Sequence, residues 1–138
     1  MGVNLNPYLH LDGTAAEALA FYTDLFGGKS TSMTFGDMGM EGPDASKIMH
    51  GQIETDDGLI LMVSDLPPGS APVQRREGVT ISLSGDDAAT LRRYWEGLSE
   101  GGVIETPLEK QMWGDEFGAC TDRFGVPWLV NIAGSATA

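Results

Sequence analysis

The sequence predicts an α+β domain built from two tandem βαβββ units. The chain repeats itself, because Gly51 and Gly58 in the first half recur as Gly118 and Gly125 in the second half, with 67 positions between the members of each pair. Gly58 and Gly125 each precede an apolar run of strand length. Two glycine pairs in one register indicate an internal duplication.

A second repeat covers the beginning of each half. The pattern L-x-G-x-x-A-x-x-L-x-x-Y occupies residues 11–22 and recurs 72 positions later at residues 83–94. Its apolar spacing is that of a helix preceded by a glycine turn. Phe35–Gly36–Asp37 then matches Trp113–Gly114–Asp115 at 78 positions. The first half must therefore carry 11 extra residues between Asp37 and Gly51.

The first half begins with a predicted strand that has one apolar and one polar face. Leu5, Leu9 and Leu11 alternate in it with Asn6, Tyr8 and His10. Thr14 and Glu17 have the spacing of a capping box, which predicts the start of a helix over about 15–26. Gly27–Gly28 ends this helix.

Three more strands complete the first unit. One runs from Lys29 to about Phe35, and a methionine-rich insertion follows it. The next strand, from Ile48 to Thr55, carries a polar face. A hairpin turn at Asp57–Gly58 leads to the last strand. In the strand from Ile48 to Thr55, the polar face carries His50, Gln52 and Glu54. In the last strand, Leu59, Leu61 and Val63 lie on one predicted face, and Ile60, Met62 and Ser64 lie on the opposite face.

The second half predicts the same elements in the same order. A strand begins at about Val79, and Asp86–Asp87 cap a helix that ends at Gly101–Gly102. The next strand, 103–111, contains Pro107 and is expected at a sheet edge. A hairpin over 116–132 turns at Phe124–Gly125. We therefore expect one domain over 1–138, with units at about 4–66 and 78–133 and a linker at about 67–77.

Charge and composition limit the function classes. Eight Lys and Arg against 20 Asp and Glu give a net charge of −12, which disfavours binding to nucleic acid or to anionic membranes. No apolar run approaches the roughly 20 residues of a membrane span, and no signal peptide is visible, so we expect a cytoplasmic protein. The lone Cys120 excludes an intramolecular disulfide and is predicted to be a buried, inert thiol.

Motifs across nearly the whole chain carry a family resemblance. They are Tyr8-Leu-His-Leu-Asp12-Gly13, Ala18-x-x-Phe21-Tyr22-x-x-x-Phe26-Gly27-Gly28, Leu61-Met-x-Ser64-Asp65-x-Pro67, Trp113-Gly-Asp-x-Phe117-Gly and Asp122-x-Phe124-Gly125-Val-x-Trp128-x-x-Asn131. The chain resembles the PhnB-like branch of the vicinal-oxygen-chelate superfamily, which includes glyoxalase I, extradiol dioxygenases and bleomycin resistance proteins. The resemblance implies the glyoxalase/bleomycin resistance fold, a curled mixed sheet around a cavity.

The resemblance also indicates where a metal would bind. Metal ligands in the superfamily come from the first and last strands of each unit, and these positions fall here at or near Asn6, Met62, Thr80 and Leu129. None of these is His, Glu or Cys, so no metal cofactor is predicted. The alternative is a divalent metal held by His10, His50 and Glu54. Without a metal, His50 as a base with Glu54 as its partner are the candidate catalytic residues.

A ligand cavity is expected because one helix covers only one face of each sheet. By the duplication, this cavity has a polar half and an aromatic half, which suits a small organic molecule with a polar head and an apolar body. Whether the protein is an enzyme stays undecided. The alternatives are a metal-dependent lyase, isomerase or dioxygenase and a resistance-type binder that sequesters a drug or toxin. We expect a homodimer. The predicted ligand-binding residues are Tyr8, His10, His50, Gln52, Met62, Trp113, Phe117 and Asn131.

Overall fold

A computed structural model describes residues 2–70 and 78–134 of the chain. The chain divides into two compact units, residues 1–74 and 75–138. The first unit contains β1 (Tyr8–Leu11), α1 (Ala15–Phe26), β2 (Lys29–Thr34), a short 3-10 helix (Gly36–Met38), β3 (Ile48–Glu54) and β4 (Ile60–Asp65). The second unit contains β5 (Ile81–Gly85), α2 (Ala88–Ser99), β6 (Val103–Lys110), β7 (Glu116–Thr121) and β8 (Pro127–Ile132). Both units have the predicted βαβββ order.

Each unit forms one four-stranded mixed sheet. The strand orders are β1-β4-β3-β2 and β5-β8-β7-β6. Among these strands the β1–β4 and β5–β8 pairs are parallel and the others are antiparallel. Gly51 pairs with Val63 in the first sheet, and Gly118 pairs with Val130 in the second. The matched glycines therefore occupy equivalent places, and the duplicated α+β fold is confirmed. The predicted linker falls partly on residues 71–77, which lie outside the described residues.

The core of each unit lies between its helix and one face of its sheet. The buried residues of α1 recur at the spacing of one helical face, as do those of α2, and each set packs against alternate strand residues. In the first unit they are Leu9, Leu11, Ala15, Ala18, Leu19, Tyr22, Phe26, Ile53, Leu61 and Val63; in the second they are Leu91, Tyr94, Trp95, Leu98, Trp128, Val130 and Ile132.

The matched glycines are required by close packing against these cores. A Cβ atom on Gly118 would lie 2.9 Å from Trp95 Cη2 and 2.9 Å from the Leu108 Cα. A Cβ atom on Gly51 would lie 3.1 Å from Leu19 Cδ2. At Gly118 a larger residue would push α2 or β6 away from β7, whereas at Gly51 the Leu19 side chain of α1 would have to shift.

The beginning of the chain differs from the sequence prediction in two ways. Leu5 is 98% exposed and precedes β1, so the strand begins at Tyr8 and not at Leu5. The predicted capping box is also wrong, because the Thr14 side chain makes no capping hydrogen bond to α1. In the second unit the prediction holds, since the Asp87 carboxylate accepts a hydrogen bond from the Thr90 N–H at 3.2 Å. Strand β5 begins at Ile81, two residues after the expected start.

The N-terminus of α1 is instead held by Asp65 at the end of β4. Its Oδ1 accepts hydrogen bonds from the Gly13 N–H at 2.8 Å and the Ala15 N–H at 3.0 Å, and its Oδ2 accepts one from the Ile48 N–H at 2.9 Å. Asp65 is only 2% exposed. One carboxylate therefore joins the helix, β3 and β4, and it satisfies backbone donors that the helix start leaves unpaired.

Asp122 holds the last hairpin together. Its Oδ1 accepts hydrogen bonds from the Phe124 N–H at 2.8 Å and the Val126 N–H at 3.1 Å, and its Oδ2 accepts one from Trp128 Nε1–H at 2.8 Å. The turn itself follows the prediction, with Gly125 at a φ of 83°. Pro107 also lies where expected, in the edge strand β6.

Candidate functional site

The first sheet has an open face on the side opposite α1. Strand alternation and register assign its residues. Tyr8 and His10 of β1 pair with Met62 and Ser64 of β4, and Gln52 of β3 pairs with Met62 from the opposite flank of β4. These residues alternate with the buried ones that contact α1. We use the term open face for the six side chains of Tyr8, His10, His50, Gln52, Met62 and Ser64.

Four side chains of the open face contact one another. The Tyr8 hydroxyl lies 2.9 Å from His50 Nδ1, and His10 Nδ1 lies 2.9 Å from Ser64 Oγ. The Tyr8 ring stacks on the His10 ring, with centroids 4.7 Å apart and planes inclined by 20°. It meets the His50 ring edge-on at 5.5 Å. We call Tyr8, His10, His50 and Ser64 the imidazole cluster.

The cluster is fixed from its buried side. Ser64 is 4% exposed, whereas Tyr8 is 41% exposed. The hydrogen bonds and ring contacts therefore connect the buried Ser64 with the exposed Tyr8 through His10. Such an arrangement holds both imidazole rings in defined orientations.

Five predicted site residues meet in this region, and one was missed. Tyr8, His10 and His50 belong to the cluster, and Gln52 and Met62 lie beside it on the same face. Ser64 was placed on this face by alternation but not named as a site residue. The bond between its hydroxyl and His10 depends on the parallel pairing of β1 with β4, which no local pattern specifies.

The predicted pairing of His50 with Glu54 is not the one that the structure shows. The described partner of His50 Nδ1 is the Tyr8 hydroxyl. Glu54 is exposed at the end of β3, where it pairs in register with Lys29 of β2. The use of His50 or Glu54 in catalysis stays a prediction.

No metal-binding group is assembled by the part of the chain that the structure describes. Within residues 2–70 and 78–134, no three His, Cys, Asp or Glu side chains are placed to hold a metal ion, so His10, His50 and Glu54 do not form such a set. The positions implied by the resemblance carry amide, thioether, hydroxyl and alkyl groups, which do not fit a first-row divalent metal. They are Asn6, Met62, Thr80 and Leu129.

The second unit brings together the other three predicted ligand-binding residues. The Trp113 and Phe117 rings meet edge-on with centroids 6.3 Å apart, and Phe117 pairs with Asn131 in the sheet. Asn131 Nδ2–H donates to Asp115 Oδ2 at 3.0 Å. This bond, followed by one from the Gly134 N–H, lowers the pKa of the Asp115 carboxyl. Asp115 was not predicted as a site residue, although it lies in the repeated aromatic-Gly-Asp motif.

Cys120 is fully buried, as predicted. Burial first, and the charges of Asp122 and Glu105 second, raise the pKa of its thiol from 9.0 to about 11. The thiolate is the reactive form of cysteine, so this thiol is poorly suited to nucleophilic or redox chemistry.

Comparisons with known proteins agree with this fold. Residues 4–130 match the family model described as Glyoxalase/Bleomycin resistance protein/Dioxygenase superfamily. The chain is 30% identical to Protein YjdN from Escherichia coli K12 in an alignment 142 residues long, which covers 93% of this chain and 94% of that protein. No helix in the described part of the chain is long and apolar enough to cross a membrane.

Solved structures resemble the chain over nearly its full length. Protein PA1353 from Pseudomonas aeruginosa has a TM-score of 0.84 and 36% identity, covering 96% of this chain and 98% of that one. The putative 3-demethylubiquinone-9 3-methyltransferase, PhnB protein, from Bacillus cereus has a TM-score of 0.74 and 21% identity, covering 95% and 100%. The second match, at this identity, shows the fold alone.

Proposed function

Because this chain belongs to the Glyoxalase/Bleomycin resistance protein/Dioxygenase superfamily, we propose that it is a PhnB-like member that binds a small organic molecule on the open face of its first unit. The imidazole cluster is the observation that supports this proposal. It concentrates both histidines of the chain on a sheet face that the helix of its own unit leaves uncovered. The motifs quoted above support the branch.

The chemistry around the cluster matches an organic ligand. Met62 lies on the same face, and Met33 faces His50 in the register of β2 with β3. Thioether side chains are polarisable and adapt to flat or irregular apolar groups. A few hydrogen-bonding groups surrounded by such side chains are typical of sites that orient a ligand by its polar head.

The methyltransferase named for the Bacillus protein is not proposed for this chain. A nucleotide-like cofactor is commonly bound by a glycine-rich turn between a strand and a helix in a βαβ unit. The sequence carries no such motif. A specific reaction therefore stays unassigned.

A thermal-shift screen with matched variants tests ligand binding. Small aromatic and carbonyl compounds that raise the Tm of the wild type should fail to raise that of Met62→Lys, which places a cation on the open face. Met112→Lys makes the same exchange at a side chain that is 98% exposed, so it should respond like the wild type. Equal shifts in all three proteins, or no active compound, would contradict the proposal.

The competing function is a metal-dependent lyase, isomerase or dioxygenase, and the presence of two histidines on one face favours it. Elemental mass spectrometry of untagged protein, before and after incubation with zinc, manganese, nickel and iron(II), decides between the two. Near-stoichiometric metal that is lost in His10→Ala and His50→Ala would replace the binding proposal with the metal-dependent one. A resistance-type binder would instead give thermal shifts with aromatic antibiotics and no turnover.

We further propose a cytoplasmic homodimer. Strands β2 and β6 lie at sheet edges and are almost entirely exposed. Edge strands carry unpaired backbone groups that a second subunit can cover. Light scattering during size-exclusion chromatography should give twice the 14.7 kDa mass of one chain, and a monomer at micromolar concentration would contradict the dimer.

A further inference from the structure

We propose that the second unit carries a binding site for a small organic cation of the quaternary ammonium class. The site consists of two aromatic rings and two carboxylates, which belong to Trp113, Phe117, Asp115 and Glu109. It lies where the turn between β6 and β7 meets the sheet face opposite α2. All of its residues belong to the second unit, so the inference goes beyond the proposed function and does not rest on it.

Two aromatic rings meet at a steep angle in this region. The Trp113 and Phe117 centroids are 6.3 Å apart and the ring planes are inclined by 65°. Trp113 is 61% exposed, whereas Phe117 is partly buried in β7. Cations are attracted to the faces of aromatic rings, and tryptophan attracts them most strongly. We call Trp113 and Phe117 the aromatic corner, because a cation placed between the two rings can contact both.

The turn between β6 and β7 defines the backbone that carries Trp113. The Gln111 N–H donates to the Asp115 carbonyl oxygen at 2.7 Å, and the Gly114 N–H donates to the Gln111 carbonyl oxygen at 3.0 Å. Gly114 has a φ of 101°, which glycine adopts without strain. The turn is therefore closed by two hydrogen bonds on either side of the exposed ring.

Asp115 supplies a negative charge next to the aromatic corner. Its Oδ2 accepts a hydrogen bond from Asn131 Nδ2–H at 3.0 Å, and its Oδ1 accepts one from the Gly134 N–H at 2.7 Å. These two bonds first, and one from the Trp113 side chain after them, lower the pKa of the Asp115 carboxyl. The carboxylate is therefore ionised at neutral pH. These donors are uncharged groups, so the negative charge of Asp115 is not neutralised by them.

Glu109 places a second carboxylate on the same face. It pairs with Phe117 in the register of β6 with β7, so both side chains project from one side of the sheet. The following pair, Lys110 and Glu116, projects from the other side, where Arg92 forms an ion pair with Glu116. The two basic groups thus lie on the side of α2, and the aromatic corner faces two carboxylates. The net charge of −12 adds a long-range attraction for cations.

The combination of rings and carboxylates favours an alkylated ammonium group over a strongly hydrated cation. A primary ammonium group makes three hydrogen bonds to water, which an aromatic face does not replace. A quaternary ammonium group has no N–H to satisfy and presents apolar methyl groups to the rings. Aromatic side chains recognise such groups in proteins.

Choline and its neutral isostere, in which carbon replaces the ammonium nitrogen, test the proposal. The readout is nitrogen-15 NMR of the indole N–H groups of the three tryptophans. Trp95 is 8% exposed and Trp128 is 2% exposed, so choline should shift only the Trp113 signal. We expect a Kd on the order of 10 mM for choline and binding about fivefold weaker for the isostere. Equal binding of the two compounds, or no saturable shift at Trp113, would overturn the inference.

Matched variants separate the ring from the charge, with the Asn131 side-chain amide as a common readout. Trp113→Leu should weaken choline binding about fivefold. Met112→Leu, at the neighbouring side chain that is 98% exposed, should not change it. Glu109→Gln should weaken choline binding about twofold and leave binding of the isostere unchanged. Undiminished choline binding in Trp113→Leu, or in Glu109→Gln, would overturn the inference.

The choline experiment and the thermal-shift screen fail independently of each other. A choline shift at Trp113 that is retained in Met62→Lys would support this second site whatever the screen finds at the open face. Shifts at Tyr8 and His50 without any at Trp113 would overturn the cation site and leave the proposed function intact.

Discussion

Asp65 shows how one buried side chain can hold several elements of a unit together. It is a buried carboxylate whose two oxygens accept three backbone hydrogen bonds, from the turn before α1, from its first residue and from the beginning of β3. Charge-assisted bonds of this type are stronger than neutral ones. Sequence patterns identified the helix but assigned its cap to Thr14, because a capping box is local and Asp65 comes from 50 positions away.

Replacing Asp65 with Asn should lower the free energy of unfolding by about 3 kcal/mol. An amide keeps one acceptor oxygen but turns an N–H₂ group towards a backbone N–H, so at least one buried donor loses its partner. Urea denaturation measures the change. Asp24→Asn, at an exposed position of α1, should change the stability by less than about 0.5 kcal/mol. Equal stabilities of the two variants would contradict the capping role of Asp65.

Cys120 should resist modification in the folded protein. Its pKa of about 11, compared with 9.0 for an ordinary thiol, lowers the thiolate fraction at pH 8 by about 100-fold, and burial limits access further. Alkylation followed by mass spectrometry should be fast only after denaturation. The raised pKa also means that the stability contributed by the neutral thiol is present below about pH 9 and is lost as the pH rises towards 11. Rapid labelling of native protein at pH 8 would be inconsistent with the buried thiol.

At the scale of elements, the matched glycines Gly51 and Gly118 set the distance between helix and sheet. Gly118→Ala should be the more destabilising, by about 3 kcal/mol, because its Cβ would meet Trp95 and the Leu108 backbone at 2.9 Å. Gly51→Ala should cost about 1 kcal/mol, because its Cβ would meet Leu19 Cδ2 at 3.1 Å and the Val63 carbonyl oxygen at 3.2 Å, which are longer contacts, and the Leu19 side chain can move. Chemical denaturation of both variants provides the comparison. The opposite ranking would show that packing does not explain these glycines.

The elements themselves were predictable where their patterns are local. The apolar spacing of α1 and α2 and the alternation in β3 and β4 gave the elements and their faces, and this placed Tyr8, His10 and His50 on one side. Strand ends were less predictable. Leu5 fits the alternation of β1 but lies outside it, since burial and not periodicity determines where pairing begins. The contact of His10 with Ser64 required the β1–β4 register, which joins opposite ends of the unit.

At the scale of the whole molecule, duplication has preserved the fold but not the chemistry of the open face. The pair His10 and Ser64 of the first sheet corresponds by strand register to Ser84 and Asn131 of the second. Both histidines lie in the first unit. The second unit instead has the Trp113–Phe117 ring contact and the hydrogen bond from Asn131 to Asp115. This divergence supports a distinct role for the imidazole cluster.

The net charge of −12 should make stability depend on salt. Excess negative charge repels itself in the compact state, and added ions screen this repulsion. Raising sodium chloride from about 10 mM to about 150 mM shortens the Debye length from roughly 30 Å to 8 Å, so the Tm should rise by a few degrees. Sucrose at matched osmolality separates screening from solvent exclusion. A Tm that falls with sodium chloride would contradict self-repulsion.

Amide NMR with a compound from the thermal-shift screen would show whether the open face of the first unit binds a small organic molecule. Saturable shifts are expected at Tyr8, His50, Gln52 and Met62, and they should be lost in Met62→Lys and retained in Met112→Lys. Shifts confined to residues away from the open face, or unchanged in Met62→Lys, would contradict binding at this face.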